Sequence, residues 1–226
     1  MTLNFKRIVS FARKRSSNPK KEAGILHELL PQFAAIIPED GGCLEKISDI
    51  FSGASIYPSY AMEIGFGSGE NILHSAKTNS NIGYIGCEVF TAGAVKLLSD
   101  IKENDIKNIK IWHDDALELI ARLPLGSLNF VYILYPDPWP KRRHNKRRLI
   151  SVEFLKLLAS KMASKGKLLI VTDHKDYAKH IAETLPEVSD LFDRKLESFP
   201  EITKTKYRLK AEEQGIVSNY FYLVKR

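Results

Sequence analysis

Residues 61–70 read Ala-Met-Glu-Ile-Gly-Phe-Gly-Ser-Gly-Glu, an apolar run that leads directly into a glycine-rich turn. The run Ala61–Ile64 has the length and composition of a buried strand, and residues 70–78 after the turn are predicted to form a helix. A strand, a tight glycine turn and a helix form the first unit of a doubly wound sheet. This stretch therefore predicts an α/β fold.

The rest of the chain continues the alternation of strands and helices. The further strand candidates are Ile82–Cys87, Ile109–Trp112, Leu128–Leu134, Lys167–Val171, Arg194–Ser198 and Tyr220–Val224. The further helix candidates are Gly24–Phe33 and residues 91–104, 115–122 and 150–164. This order predicts a doubly wound, mostly parallel seven-stranded sheet with helices on both faces. Right-handed crossovers would bring the carboxyl ends of the parallel strands to one edge, where ligands bind in such sheets.

The length of 226 residues and the hydrophobic content of 44% suit one α/β domain with a full core, without a second large domain. We divide the chain into a basic N-terminal arm, residues 1–24, and a single domain, residues 25–226. The arm carries seven Lys and Arg residues before its first acid, Glu22. Contact with RNA, a solvated tail and a targeting segment all fit this arm, and the sequence leaves them open.

The net charge of +7 and the pI near 9.2 favour an acidic partner, and charge alone fits nucleic acid, a heparin-like polymer or a membrane surface equally. No apolar run approaches the roughly 18 residues that span a bilayer, and no secretory signal is visible. We expect a cytoplasmic protein without a membrane segment. Cys43, Cys87 and the six histidines show no ligand spacing, so we expect no metal site.

Residues 135–148 join a proline-bounded acid to a dense cationic run. Asp137 follows the strand candidate Leu128–Leu134, and Pro136 and Pro138 restrict the backbone on both sides of it, which predicts a preorganised carboxylate. The cations after it form an uninterrupted positive field of the kind that binds polyanions. The alternative is a proline-rich turn followed by the solvated start of a basic helix.

The glycine turn by itself is a weak signal, since nucleotide and dinucleotide sites use similar loops. The dinucleotide form needs a glycine where this chain has Glu70, and a carboxylate there would repel pyrophosphate. The Walker phosphate loop is absent as well, because no Gly-Lys-Ser/Thr follows. These features predict a ligand without phosphates, and S-adenosyl-L-methionine fits that description.

Four acids, Glu63, Glu88, Asp115 and Asp137, fall at the ends of four successive strand candidates. Glu88 is placed to accept the ribose hydroxyls, Asp115 or its rival Asp114 to accept from the adenine amino group, and Glu63 to face the amino acid end of the cofactor. Clustered carboxylates complement a cationic cofactor. The alternative for any single acid is a helix N-cap or a surface charge.

With these motifs the chain resembles the bacterial tRNA (guanine-N7-)-methyltransferase family from about residue 7 onward. The most specific motif is Pro136-Asp137-Pro138-Trp139, followed at fixed spacing by Lys141 and by Arg143–Arg148. The resemblance implies the class I, Rossmann-like fold of methyltransferases that use S-adenosyl-L-methionine. It also implies methyl transfer to N7 of guanine 46 in the variable loop of tRNA.

The resemblance assigns the site residue by residue. It implies Asp137 as the catalytic acid, and a cofactor site of Glu63, Gly65, Gly67, Gly69, Glu88, Asp115 and Asp137. The implied RNA contacts are Lys141, Arg143, His144, Asn145, Lys146, Arg147, Arg148, Asp173, Thr205, Lys206, Tyr207 and Arg208. Arg208 stands where the family usually has Glu, and it could reach a phosphate instead. His144 is expected to face RNA as a polar group, not to act as a catalyst.

The expected reaction needs no obligatory base, because guanine N7 carries a lone pair and no proton. Asp137 is therefore expected to position the base or tune the cofactor, and a role in proton transfer stays open. The alternatives are a non-catalytic tRNA-binding protein on a methyltransferase scaffold, and a methyltransferase for a small molecule or protein. Whether the chain works as a monomer or a homodimer is not decided by the sequence.

Overall fold

A computed structural model describes residues 18–38, 42–51, 56–195, 202–203, 209, 213 and 215–226. The helices in these ranges are α1 (Pro19–Phe33), α2 (Glu70–Thr78), α3 (Thr91–Glu103), α4 (Ala116–Arg122), α5 (Val152–Lys161) and α6 (Lys175–Thr184). The strands are β1 (Ser59–Ile64), β2 (Ile82–Cys87), β3 (Ile109–Trp112), β4 (Leu128–Leu134), β5 (Met162–Thr172), β6 (Phe192–Lys195) and β7 (Asn219–Lys225). Short 3-10 helices cover Ile47–Phe51, Arg142–Arg147 and Leu185–Val188.

The seven strands form one sheet in the order β3-β2-β1-β4-β5-β7-β6. The first five strands of this order run parallel, while β7 pairs antiparallel with both β5 and β6. The predicted mostly parallel seven-stranded sheet is therefore confirmed. The chain proceeds from β1 outward to β3 and then returns to the other side of β1 with β4, so the strand order reverses between β1 and β4. In open α/β sheets that reversal point is where a ligand crevice forms.

Helices cover both faces of the sheet, as predicted. Side chains of β1 alternate between the faces: Met62 and Ile64 belong to one buried cluster and Ala61 to the other. The first cluster takes up apolar residues of α4, α5 and α6, among them Leu119, Leu155 and Ile181. The second takes up residues of α1, α2 and α3, among them Leu29, Ile72 and Leu97.

The junction of α5 and β5 differs from the prediction of a helix over residues 150–164. Helix α5 ends at Lys161, and β5 begins at the next residue. Lys165 adopts φ +62°, and a Cβ at Gly166 would lie 2.8 Å from the carbonyl oxygen of Ala163. The close approach at Gly166 therefore marks an irregularity inside β5, where its register with β4 shifts between Leu128 and Phe130, and a glycine at 166 accommodates it.

Helix α6 was not among the predicted helices. Its buried residues are Tyr177, Ala178, Ile181 and Thr184, which lie on one face of the helix, whereas the rest of the helix is polar except for Ala182. His174 caps the helix, since its Nδ1 accepts from the N–H of Tyr177 at 3.3 Å. The apolar stripe is narrow, and a polar composition hid the helical period.

Two boundaries near the chain ends also differ. Helix α1 begins at Pro19 rather than Gly24, with Asn18 as its N-cap, so the helix starts inside the segment assigned to the arm; residues 1–17 lie outside the described residues. Strand β6 ends at Lys195, and residues 196–198 of the predicted strand are also outside the described part. None of the helices in the described ranges combines the length and apolar content needed to cross a membrane.

Candidate active site

The parallel strands bring the four predicted acids to one edge of the sheet. Glu63 is the penultimate residue of β1, and Glu88 directly follows β2. Asp115 lies three residues after the end of β3, and Asp137 lies three residues after the end of β4. The strands that carry them are consecutive neighbours in the sheet. The topology therefore brings the four acids to the carboxyl edge of the sheet, next to the point where the strand order reverses.

The glycine turn between β1 and α2 has left-handed backbone at all three glycines. Gly65, Gly67 and Gly69 have φ of +73°, +59° and +83°, a region that other residues rarely adopt. The turn also packs closely on α3: a Cβ at Gly93 would lie 2.1 Å from the carbonyl oxygen of Gly67. Four glycines therefore shape this loop and allow a ligand to approach its backbone.

Glu88 is held by three backbone donors. Its Oε2 accepts from the N–H of Gly67 at 2.8 Å, and its Oε1 accepts from the N–H groups of Val89 and Phe90 at 2.8 Å each. Burial raises the pKa of Glu88, and these hydrogen bonds together with nearby His113 oppose that rise. A carboxylate has about four acceptor positions, so a fixed Glu88 keeps capacity for a hydroxyl donor.

Glu63 is a buried carboxyl group, with 4% of its surface exposed. Its Oε2 accepts from Nδ2 of Asn71 at 2.8 Å. Burial raises the pKa of Glu63 to about 8, the hydrogen bond from Asn71 lowers it, and the charges of Glu70 and Glu88 raise it. A cationic group bound beside Glu63 would favour its charged form.

Asp115 is buried and caps α4, since its Oδ1 accepts from the N–H of Leu117 at 2.9 Å. The N-cap alternative therefore holds for one oxygen of this acid. Its rival, Asp114, is exposed, and its Oδ1 accepts from the N–H of Asp115 at 2.7 Å. The structure places both near the end of β3, so the choice of adenine contact stays a prediction.

Asp137 is exposed on a loop with unusual backbone on both sides. Tyr135 and Trp139, neither of them glycine, adopt φ of +54° and +47°. Each such conformation costs on the order of 1–3 kcal/mol and persists only where the surroundings hold it. Tyr135 is held by its N–H, which donates to Val171 O at 2.8 Å, and by its hydroxyl, 3.1 Å from Ser218 Oγ.

The basic run after this loop forms the 3-10 helix Arg142–Arg147. Lys141, Arg142, Arg143 and Lys146 are exposed there. His144 meets the Trp139 ring edge-on with centroids 5.7 Å apart, and the guanidinium of Arg147 lies 4.9 Å from the centre of the same ring. Desolvation and the neighbouring cations, Arg147 first, lower the pKa of His144.

Two members of the predicted RNA-contacting run point inward. With its amide oriented to donate, Asn145 lies 3.1 Å from Trp139 O and 3.3 Å from Lys141 O, so it closes the loop on itself. Arg148 is buried, with 7% of its surface exposed, and its Nε donates to Pro138 O at 3.0 Å. Both side chains thus hold the loop together, and their predicted contact with RNA stays a prediction.

The remaining predicted contacts are Asp173, which the structure describes, and four residues that it does not describe. Asp173 is half-buried directly after β5. Thr205, Lys206, Tyr207 and Arg208 fall outside the described residues. Just before them, Ile202 is buried against the end of the sheet, and the N–H of Thr203 donates to Oδ1 of Asn71 at 3.2 Å.

Sequence reasoning missed Asn71 and Asp176, which hold predicted site residues in place. Asn71 contacts Glu63, and Asp176 contacts Arg148, as does Tyr177, which the resemblance groups with Thr172 and Asp173. Neither Asn71 nor Asp176 belongs to a motif that was recognised, although Asn71 follows the glycine turn by two positions. In the described part of the chain no group of three or more His, Cys, Asp or Glu side chains is arranged to hold a metal ion.

Comparison with known proteins finds methyltransferases of similar sequence. A family model described as putative methyltransferase matches residues 58–219. The tRNA (guanine-N(7)-)-methyltransferase of Wolbachia pipientis wMel is 41% identical over 208 residues, 92% of this chain and 88% of the relative. The protein with the same name from Zymomonas mobilis subsp. mobilis is 35% identical over 229 residues, 97% of this chain and 94% of the relative.

Solved structures of methyltransferases share the fold. The 16S rRNA methyltransferase KamB matches with a TM-score of 0.56 at 14% identity, over 80% of this chain and 95% of its own. The aminoglycoside resistance methyltransferase NpmB1 matches with a TM-score of 0.55 at 15% identity, over 76% of this chain and 89% of its own. At this identity the likeness supports the class I methyltransferase fold and no finer statement.

Proposed function

Because the chain belongs to the tRNA (guanine-N7-)-methyltransferase family, we propose that it transfers the methyl group of S-adenosyl-L-methionine to N7 of a guanine in tRNA. We propose guanine 46 of the variable loop as the acceptor. One observation supports this most directly: the glycine turn with Glu63 and Glu88 and the loop with Asp137 and its basic run meet at neighbouring strand ends.

The residues at the strand ends fit the cofactor. Gly65, Gly67 and Gly69 open the turn for close approach, Glu88 retains acceptor capacity for ribose hydroxyls, and buried Glu63 would compensate an amino group. When bound, S-adenosyl-L-methionine supplies an electrophilic methyl group on a sulfonium. Asp115 or Asp114 would accept from the adenine amino group.

Exposed cations would neutralise tRNA phosphates next to the loop that carries Asp137. They are Lys141, Arg142, Arg143 and Lys146, together with Arg147 against Trp139. Phosphate contacts position the nucleic acid and make binding depend on salt. They would also offset the few kcal/mol needed to unstack a guanine. Asp173 and Thr205–Arg208 are further proposed substrate contacts.

Asp137 acts by positioning. Guanine N7 attacks with a lone pair, so the protein's main contribution is alignment, and holding reactants in line can supply on the order of 7–11 kcal/mol. The loop held at Tyr135 and Trp139 would direct the Asp137 carboxylate toward the amino or imino edge of the base. We further propose that residues 25–226 form one catalytic domain, active in the cytoplasm as a monomer or homodimer.

The test is methyl transfer from labelled S-adenosyl-L-methionine into unmodified tRNA, with the modified base mapped. We expect N7-methylguanine at position 46, its loss in Asp137→Ala, and no transfer to the same tRNA with adenine at that position. Salt-sensitive tRNA binding without transfer would instead support the non-catalytic tRNA-binding protein. Transfer that ignores tRNA would support a different acceptor.

A further inference from the structure

Arg148 ends the basic segment but does not share its surroundings. Only 3% of its side chain is exposed, whereas Lys141, Arg142, Arg143 and Lys146 lie on the surface. A buried guanidinium is costly unless hydrogen bonds and opposite charge compensate it. Arg148 must therefore be explained by the groups that it contacts inside the protein.

Its partners come from two separate parts of the chain. Nε donates to the carbonyl oxygen of Pro138 at 3.0 Å, and Nη2 forms an ion pair with Asp176 in the first turn of α6. The guanidinium also lies 5.2 Å from the centre of the Tyr177 ring. Arg148 thus connects the loop after β4 to the start of α6.

The same junction is reinforced two residues later. The hydroxyl oxygen of Tyr177 accepts from the N–H of Ile150 at 3.1 Å, and Nε2 of His180 lies 2.8 Å from Ile150 O. These hydrogen bonds fix the chain around Ile150 to α6. The Arg148 side chain then connects α6 to the loop that carries Asp137.

The contact on Pro138 is next to the proposed catalytic acid. Pro138 directly follows Asp137 and precedes Trp139, whose left-handed backbone needs support from its surroundings. An arginine suits this position because its Nε and Nη2 are separate donors on one planar group and reach two partners at once. A lysine has one ammonium group and does not reproduce that geometry.

Resting on the proposed function, we propose that Arg148 is a positioning residue for methyl transfer, which anchors the Pro138 carbonyl to α6 and so holds Asp137 in its productive direction without contacting tRNA.

The matched pair of variants is Arg148→Lys and Arg147→Lys, with Arg147→Gln and Arg148→Gln as the charge-removing set. The two arginines are adjacent, but Arg147 lies against Trp139 in the tRNA-facing segment and Arg148 is buried. For each variant we would measure kcat, KM for tRNA, the salt dependence of tRNA binding and the melting temperature.

We expect Arg148→Lys to lower kcat between about tenfold and a hundredfold at nearly unchanged KM for tRNA, since small misplacements in an active site cost this much. Arg147→Gln should weaken tRNA binding and reduce the salt slope by about 1, and Arg148→Gln should leave that slope unchanged. Unchanged kcat in Arg148→Lys, or an equal loss of salt slope in both Gln variants, overturns the proposal.

Asp176→Asn covers the case in which Arg148 variants do not fold, because Asp176 is largely exposed on α6. We expect it to lower kcat in the same direction, and its combination with Arg148→Lys to be non-additive. Additive losses contradict a shared role.

Hydrogen exchange over residues 135–141 separates this inference from the proposed function. Exchange there should be faster in Arg148→Lys than in wild type and unchanged in Arg147→Lys. If the wild type transfers no methyl group to tRNA, the proposed function fails, whereas an active wild type with unchanged exchange and kcat in Arg148→Lys removes only the role of Arg148.

Discussion

Asn71 donates a 2.8 Å hydrogen bond to the buried carboxyl group of Glu63. The other end of the same amide accepts from the N–H of Thr203 at 3.2 Å. The first turn of α2 thus connects the proposed cofactor site to the chain segment just before the proposed substrate motif.

Glu63→Gln should remove a pH dependence of stability. The pKa of Glu63 in the fold is raised to about 8 from an ordinary value of 4.5, so the folded state keeps a proton that the unfolded chain has lost between these values. Wild-type stability without cofactor should therefore fall as the pH rises through that window. Melting curves of wild type and variant at matched pH values check this, and parallel pH dependence in both would contradict the raised pKa.

The same variant should weaken the binding of the cofactor. If Glu63 in its charged form meets the amino group of S-adenosyl-L-methionine, Glu63→Gln should lose about ten- to a hundredfold in affinity, the range of a hydrogen bond to a charged group. Wild-type affinity should increase toward pH 8 while that of the variant stays flat. Calorimetric titration measures both, and equal affinities would exclude Glu63 from the site.

Glu88→Ala should disturb both the cofactor site and the glycine turn. The variant leaves the N–H groups of Gly67, Val89 and Phe90 without their carboxylate acceptor. We expect cofactor affinity to fall at least about tenfold. Glu153→Gln, an exposed acid in the first turn of α5, is the control and should bind the cofactor like wild type.

Gly93→Ala should move the glycine turn. The new Cβ would lie 2.1 Å from the backbone carbonyl oxygen of Gly67, which no side-chain rotation can relieve. We expect a lower melting temperature and weaker cofactor binding. Gly24→Ala in α1 has no atom within 4 Å of its Cβ and should be neutral or stabilising by about 0.5–1 kcal/mol. Equal behaviour of the two variants would contradict the close packing.

Lys141→Gln, Arg143→Gln and Lys146→Gln should each weaken tRNA binding and lower its salt slope by about 1, because each removes one exposed cation from the proposed phosphate contacts. Cofactor affinity should stay unchanged. Lys156→Gln, an exposed cation on α5, is the control. An equal effect in the control would mean that overall charge, not this surface, governs binding.

Much of the fold was predictable because buried strands have a direct signature. The apolar runs Ile82–Cys87, Ile109–Trp112 and Leu128–Leu134 match β2, β3 and β4 to the residue. Prediction failed where local sequence does not determine the backbone. Strand β5 begins at Met162, five residues before the predicted start at Lys167, and continues through the irregularity around Gly166, while α6 shows only a narrow apolar stripe.

The candidate site divides in the same way. The glycine turn, the acids at the strand ends and the Asp137 motif are short-range patterns, and parallel strand order brings such patterns to one edge. The local sequence did not predict which of the cations face solvent. Arg147 and Arg148 are adjacent in one cationic run, yet one contacts the Trp139 ring and the other is buried against α6.

The sequence by itself determined the fold class, the order of the elements and the residue types at the strand ends, because hydrophobic period and turn chemistry act over a few residues. Only the tertiary structure decided that Arg148 pairs with Asp176, 28 positions away, and that Asn71 joins Glu63 to Thr203, 132 positions further along the chain. Such pairs depend on how distant elements pack and on where burial demands a partner for a charge, and neither is encoded in a local pattern.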